Sequence, residues 1–196
     1  WRETYGDSVI AAVTFQERHA ILKDEDVRIL DKVESGVSFF ISQCIFNVGF
    51  TTRTLEDLLA SCREKDQPVP TIIFTLTICG SAKTLNFMEW LGIHVPDDIK
   101  DELRTCSDAV RRSVEIATTI AKDLIEFCKQ RAIPFGFNVE SVAMRKEEVE
   151  ASVELLNTIA DLLKESGFRQ KPKANGAHTT IDTSPAFVTP RTLGLA

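Results

Sequence analysis

Four short segments carry the residues whose types suit ligand chemistry: Phe15-Gln16-Glu17-Arg18-His19, Ser42-Gln43-Cys44-Ile45-Phe46-Asn47, Thr75-Leu76-Thr77 and Asn138-Val139-Glu140-Ser141. Each ends or follows an apolar run. Gln43 is the most informative, because an amide inside an apolar run must find hydrogen-bond partners once buried. A carboxamide donates and accepts side by side, which matches the amide edge of a heterocycle such as a pterin or flavin. A core glutamine bonded to neighbouring backbone fits equally well. Asn138 and Glu140 face the same choice, Glu140 with the further options of capping the next helix or pairing with Arg145. Glu17 and His19 have no third partner at a fixed spacing, so a metal site is a weak reading and a ligand-contacting or loop-ordering pair is expected. Gly80-Ser81 opens a helix and suits either an anion on free N–H groups or an ordinary N-cap, the second being favoured. Arg28, Lys32 and Arg145 fall on helices, where solvated charge is the default. None of the three histidines (19, 94 and 178) stands by a Ser or Cys in a nucleophile elbow, which disfavours hydrolase chemistry.

The elements that position these residues follow from periodicity. Val9 to Val13 predicts a first strand, and Asp24 to Ser35 a helix with Val27, Leu30 and Val33 on one face. Phe39 to Gln43 predicts a second strand. A polar turn at Gly49 to Thr52 then precedes a helix marked by Leu55, Leu58, Leu59 and Cys62. Thr71 to Leu76 is rich in residues that suit a pleated surface, and Gly80-Ser81 leads into Leu85, Met88 and Leu91. Ser107-Asp108 is an N-cap pair for a long helix running through Val110, Val114, Ala117, Ala121, Leu124 and Cys128. Pro134 to Val139 predicts the fourth strand. A helix from about Arg145 carries Val149, Val153, Leu156, Ala160 and Leu163 on one side.

Strands alternating with helices imply βαβ units and a parallel sheet, hence an α/β fold. Neither G-x-G-x-x-G nor G-x-x-x-x-G-K-[ST] is present, which counts against a doubly wound nucleotide-binding sheet. A (β/α)8 TIM-barrel needs roughly 250 residues, so four units are half of one, here the last four. In such a barrel the site forms at the carboxyl ends of the strands, and the four polar segments converge there. Residues 1–167 are read as this half-barrel and 168–196, with three of the seven prolines and no sustained period, as a flexible tail.

Composition narrows the function classes. The 196 residues carry 23 Lys plus Arg against 29 Asp plus Glu, a net charge of −6, so a nucleic-acid or anionic-membrane binder is disfavoured. Five widely spaced cysteines without a C-x-x-C pair fit a reducing cytoplasmic setting and no metal knuckle. There is no apolar stretch long enough for a membrane span and no leader. The chain begins at Trp1, which suggests a piece of something longer.

The stretches K-V-E-S-G followed by F-F-I-S-Q-C-I-F-N (32–36 and 39–47), the Gly-Ile, Pro and acidic-helix stretch around Trp90 to Glu102, and the order and spacing of the segments resemble the second half of the methylenetetrahydrofolate reductase family over about residues 8 to 165. The resemblance implies a (β/α)8 barrel that binds FAD and reduces 5,10-methylenetetrahydrofolate to 5-methyltetrahydrofolate with NAD(P)H as electron donor. It implies that Gln43 contacts the pterin, with Asn138, Glu140 and Arg145 on the substrate side. It places Phe15, Glu17, His19, Arg28 and Lys32 by the flavin, Lys32 towards its phosphates. The catalytic acid and the flavin-tuning aspartate belong to the half that precedes these units, and a homo-oligomer is compatible. The sequence departs from the family at the eighth strand, G-F-N-V-E-S-V in place of H-F-Y-T-L-N-R, where Val142 replaces an arginine and Arg145 is the nearest substitute. A non-catalytic scaffold or regulatory partner of the same fold is the alternative.

Overall fold

A computed structural model describes residues 9–142 and 145–168. The elements run β1 (Ala11–Thr14), α1 (Gln16–Leu22), α2 (Glu25–Glu34), β2 (Phe39–Cys44), α3 (Val48–Glu64), β3 (Thr71–Thr77), α4 (Ala82–Trp90), α5 (Asp97–Thr105), α6 (Ala109–Arg131), β4 (Phe135–Glu140) and α7 (Lys146–Glu165). The strands lie in the order β1-β2-β3-β4, and every neighbouring pair is parallel. A right-handed crossover that always steps in one direction puts its helices on one face of the sheet. A doubly wound sheet would need the order to reverse. This sheet does not reverse.

The helix-covered face holds the main core. Phe40, Ile72, Phe74 and Leu76 of the sheet pack with Leu58 of α3, Ala121 and Leu124 of α6 and Leu155 of α7. On the opposite face, Val13, Ile41, Ile73 and Gly136 follow one another across the register. Val13 is 48% exposed, so this face is uncovered at the β1 side among the described residues. At the carboxyl ends of β2 and β3 a second cluster forms, in which Cys44, Phe46 and Cys79 pack with Leu85 and Met88 of α4, Ile93 and Val95 of the following connection, and Leu103 of α5.

Three local expectations are corrected. Residues after β1, read as a polar strand end, form α1, which stops where Lys23 takes the left-handed conformation (φ 51°). The expected turn at Gly49 to Thr52 is the first turn of α3, because the Asn47 side chain accepts the Phe50 N–H at 3.0 Å and starts the helix there. In α7 the stripe Val149, Val153 and Leu156 points outward, at 43%, 55% and 51% exposure, while Ala151, Ser152, Leu155 and Ile159 are buried. The small residues of the second stripe let α7 approach the sheet and α6 closely. Val27, assigned to the inner face of α2, is likewise 46% exposed, although Leu30 is buried as expected. The N-caps at Ser81 and Asp108 form as read, accepting from Thr84 N–H and Arg111 N–H. The boundary expected at Gly167 follows α7 directly, and residues 169–196 lie outside the described residues.

Candidate functional site

The carboxyl end of β2 is irregular. Ile41 pairs with Ile73 but Cys44 with Thr75, so Ser42 and Gln43 together oppose a single residue of β3. Such a bulge needs replacement partners for the interrupted ladder. Ser42 Oγ supplies one by accepting the Thr75 N–H at 2.9 Å, and it donates to the Gln43 carbonyl at 2.8 Å. Gln43 Oε1 supplies the other, accepting the Cys44 N–H at 3.0 Å. The amide oxygen of Gln43 is therefore bound to neighbouring backbone, while its Nε2 makes no hydrogen bond to the described residues. One half of the carboxamide builds the bulge and the other is available.

Three further groups converge on this strand end. Asn138, opposite Thr75 in the register, donates from Nδ2 to Glu140 Oε1 at 2.8 Å and lies 3.5 Å from Thr75 Oγ1. Glu17, in the first turn of α1, is half-buried; burial pushes its carboxyl pKa up, against the opposing pull of its own backbone N–H and of His94. The Cys44 thiol is pushed up to about 12, first by burial and then by the charges of Glu140 and Glu17. The charges of Glu17, after β1, and of Glu140, at the end of β4, are thus both felt at Cys44, and Glu140 is in turn bonded to Asn138. The Cys44 thiol stays protonated at neutral pH, and so does that of Cys79, pushed up to about 11 mainly by burial. Neither serves as a nucleophile.

The residues expected on the flavin side are arranged differently. His19 is 2% exposed; its Nδ1 accepts the Glu25 N–H at 3.3 Å, so its proton sits on Nε2 and is donated to Asp57 Oδ2 at 2.8 Å. Its ring ties α1 and α2 to α3. Phe15 is 42% exposed, and its N–H is held by Glu25 Oε1 at 3.1 Å. Arg28 Nε lies 3.5 Å from Glu25 Oε2, with Arg18 Nε on the same oxygen at 3.8 Å. Lys32 Nζ donates to the Val13 carbonyl at 2.8 Å. Because Ile10 C=O accepts from Ser38 beside β2, alternation turns the Val13 C=O to the open edge of β1, and Lys32 covers that edge. Arg145 is the exposed N-cap residue of α7, and its carbonyl accepts from Glu148 N–H and Val149 N–H.

One group in this region was not legible in the sequence. Glu148 is 1% exposed, and its Oε1 accepts both the Gly80 N–H and the Thr84 hydroxyl at 2.7 Å. The start of α4 does hold an anion, but the anion is the chain's own carboxylate. Its partners belong to the start of another helix, 68 and 64 residues away, so no local pattern marked it. Glu25 is similar: fully buried and paired to Arg18 and Arg28, it orders the α1–α2 corner.

Consecutive parallel βα units, wound in one direction, define an α/β protein built on a parallel sheet. Within that class the chain belongs to the methylenetetrahydrofolate reductase family, whose model matches residues 1–157. It is also similar to a solved structure described as an uncharacterized protein from Clostridium thermocellum that binds two copies of 5-methyl-5,6,7,8-tetrahydrofolic acid. The two are 40% identical with a TM-score of 0.77, over 82% of this chain and 57% of that one. The chain thus spans less than two thirds of that structure's length. No curated protein matches it. Among the described residues no helix is long and apolar enough to cross a membrane.

Proposed function

We propose that the chain supplies the carboxyl-terminal four units of a (β/α)8 barrel that binds a reduced folate at its strand ends. We further propose that it takes part in reducing 5,10-methylenetetrahydrofolate to 5-methyltetrahydrofolate. The observation that carries the reading is the Gln43 carboxamide. Its oxygen is locked by the Cys44 N–H, so its amide is oriented, and its Nε2 is left to meet an acceptor on a flat heterocycle. Family membership and the folate bound by the Clostridium thermocellum protein support the same ligand class.

FAD fits the ring end of this arrangement. Phe15 offers an exposed ring, and Gln16 Oε1 is a buried acceptor with no partner among the described residues, of the kind a ring N–H satisfies. Phe15, Glu17 and Lys32 would hold it, Lys32 after leaving Val13; His19 would act from behind by fixing α1, and Arg28 through its pairing with Glu25. The chemistry FAD supplies when bound is hydride relay from NAD(P)H to the folate's one-carbon unit. The chain's own part is orientation. Gln43 fixes the pterin plane, Asn138 and Glu140 present an amide and a carboxylate beside it, and Glu17 keeps a carboxyl whose burial favours the protonated form. Arg145, exposed at the start of α7, would meet the carboxylates of a folate tail.

A second reading, a folate-binding scaffold without redox chemistry, is favoured by the engagement of His19 with Asp57 and of Lys32 with Val13. Titration of the chain joined to the four units that would complete the barrel, with 5-methyltetrahydrofolate and followed by intrinsic fluorescence, tests the common part. Gln43→Ala is expected to weaken binding about 10- to 100-fold, as loss of an oriented polar contact does. Wild-type protein that takes up no folate would end the reading. Visible flavin absorbance of protein reconstituted with FAD separates the first reading from the second.

A further inference from the structure

We propose that Glu148 is a positioning residue that clamps the turn after β3 to the start of α7, so that two walls of the strand-end mouth move as one body. The proposal rests on the folate-binding reading of that mouth. Within the turn Cys79-Gly80-Ser81, the Cys79 N–H is held by Ser113 Oγ of α6 at 2.8 Å and the Gly80 N–H by Glu148 Oε1 of α7 at 2.7 Å. Thr84, one turn into α4, reaches the same oxygen at 2.7 Å and also the Ser81 hydroxyl at 2.9 Å. A single carboxylate oxygen therefore gathers the β3–α4 turn, the first turn of α4 and the first turn of α7.

Glycine is required at the contact. A Cβ on Gly80 would fall 2.6 Å from Val110 Cγ2, 2.7 Å from Glu148 Cγ and 2.8 Å from its Oε1. The bare backbone is what lets the carboxylate approach. A buried carboxylate is costly unless its bonds are made, and here one oxygen makes two while Oε2 is buried with no partner among the described residues. What Oε1 supplies is a fixed spacing between the β3–α4 turn and the first turn of α7. The clamped turn contributes Cys79 to the cluster that also holds Cys44, next to Gln43, and the strand whose end bears Glu140 leads into α7. Slack at Glu148 therefore reaches the strand ends through β3, which pairs with the bulged β2, and through β4, which pairs with β3.

The test measures 5-methyltetrahydrofolate affinity and Cys79 labelling by an alkylating reagent, in the chain joined to the units that would complete the barrel and below the melting temperature of each variant. Glu148→Gln keeps a carbonyl oxygen for both donors, and it is expected to bind within about threefold of wild type with Cys79 protected. Glu148→Ala removes the acceptor, and it is expected to weaken binding about tenfold or more and to expose Cys79. Should Glu148→Ala fail to fold, Thr84→Val removes one donor only and is expected to loosen binding about threefold. Labelling distinguishes the two readings. Wild-type protein that takes up no folate removes the folate reading, yet Cys79 exposed in Glu148→Ala and protected in Glu148→Gln still supports the clamp. Cys79 equally protected in all three overturns it, as does folate binding unchanged in Glu148→Ala or, where that variant does not fold, in Thr84→Val.

Discussion

Raising the pH from 8 to 10 is expected to destabilise this fold through its thiols. Burial pushes Cys44 and Cys128 from their ordinary 9.0 to about 12, and Cys79 to about 11. In the unfolded chain each thiol returns to its ordinary value, so the unfolded state releases protons first as the pH climbs. The folded pKa lies above the unfolded one. The stability is therefore fully present below pH 9 and is lost as pH rises from 9 towards 11–12. At pH 10 each thiol favours unfolding by about 1.4 kcal/mol, and the three together by about 4 kcal/mol. That is a large part of a typical stability of roughly 5–15 kcal/mol. Lysines begin to titrate in the same range, so the decisive comparison is between variants. Cys128 is fully buried in the main core, away from the strand-end mouth. Cys128→Ala is expected to be less stable at neutral pH but to lose about 1.4 kcal/mol less than wild type between pH 8 and 10. Urea unfolding under reducing conditions at pH 8, 9 and 10 reads this directly. An identical loss in the two proteins would refute the reasoning.

Two other outcomes follow from the corner after β1. His19→Ala is expected to cost about 2–4 kcal/mol, because it leaves the Glu25 N–H without its acceptor and opens a cavity between α1 and α3; thermal unfolding checks it, and a loss below 1 kcal/mol contradicts the structural role. Lys32→Ala is expected to change stability by less than about 1 kcal/mol but to increase self-association, since it bares the Val13 carbonyl at the sheet edge. Sedimentation velocity of the two proteins at equal concentration decides the point.

The strands were legible because Phe39 to Gln43, Thr71 to Leu76 and Pro134 to Val139 are short runs of residues that suit a sheet and are bounded by turn signals. Where reading failed, the missing information was non-local. Gln43 was left between ligand contact and core amide because the bulge that divides its two atoms depends on Ser42 bonding Thr75, 33 residues on. Glu148 was silent because its partners Gly80 and Thr84 lie 68 and 64 residues away. The extent of α3 was hidden by a polar run, Gly49 to Thr52, whose helical state is decided by the Asn47 cap rather than by hydrophobic spacing. His19 had a residue type suited to chemistry and received an internal role from Asp57, 38 residues away in the sequence.

The outward stripe of α7 has a different cause. Residues 149, 153 and 156 and residues 151, 155 and 159 both repeat at helical spacing, and periodicity alone cannot rank two apolar faces. The sheet takes the second, leaving Val149, Val153 and Leu156 exposed beyond β4. At the other end of the arc Val9, Val13, Ile21 and Leu22 are exposed beside β1 at 68%, 48%, 80% and 52%. Apolar exposure thus occurs at both ends of the singly wound sheet, with a third patch of Phe87, Trp90 and Leu91 on α4. The exposure at the two ends is expected if further βα units continue the winding from β4 round to β1, since each end then gains a strand and a helix. The misread face of α7 is therefore an argument for the proposed barrel, and it makes the same stripe the place where a charged substitution, Val153→Lys, is expected to interfere with closure while leaving the helix itself intact.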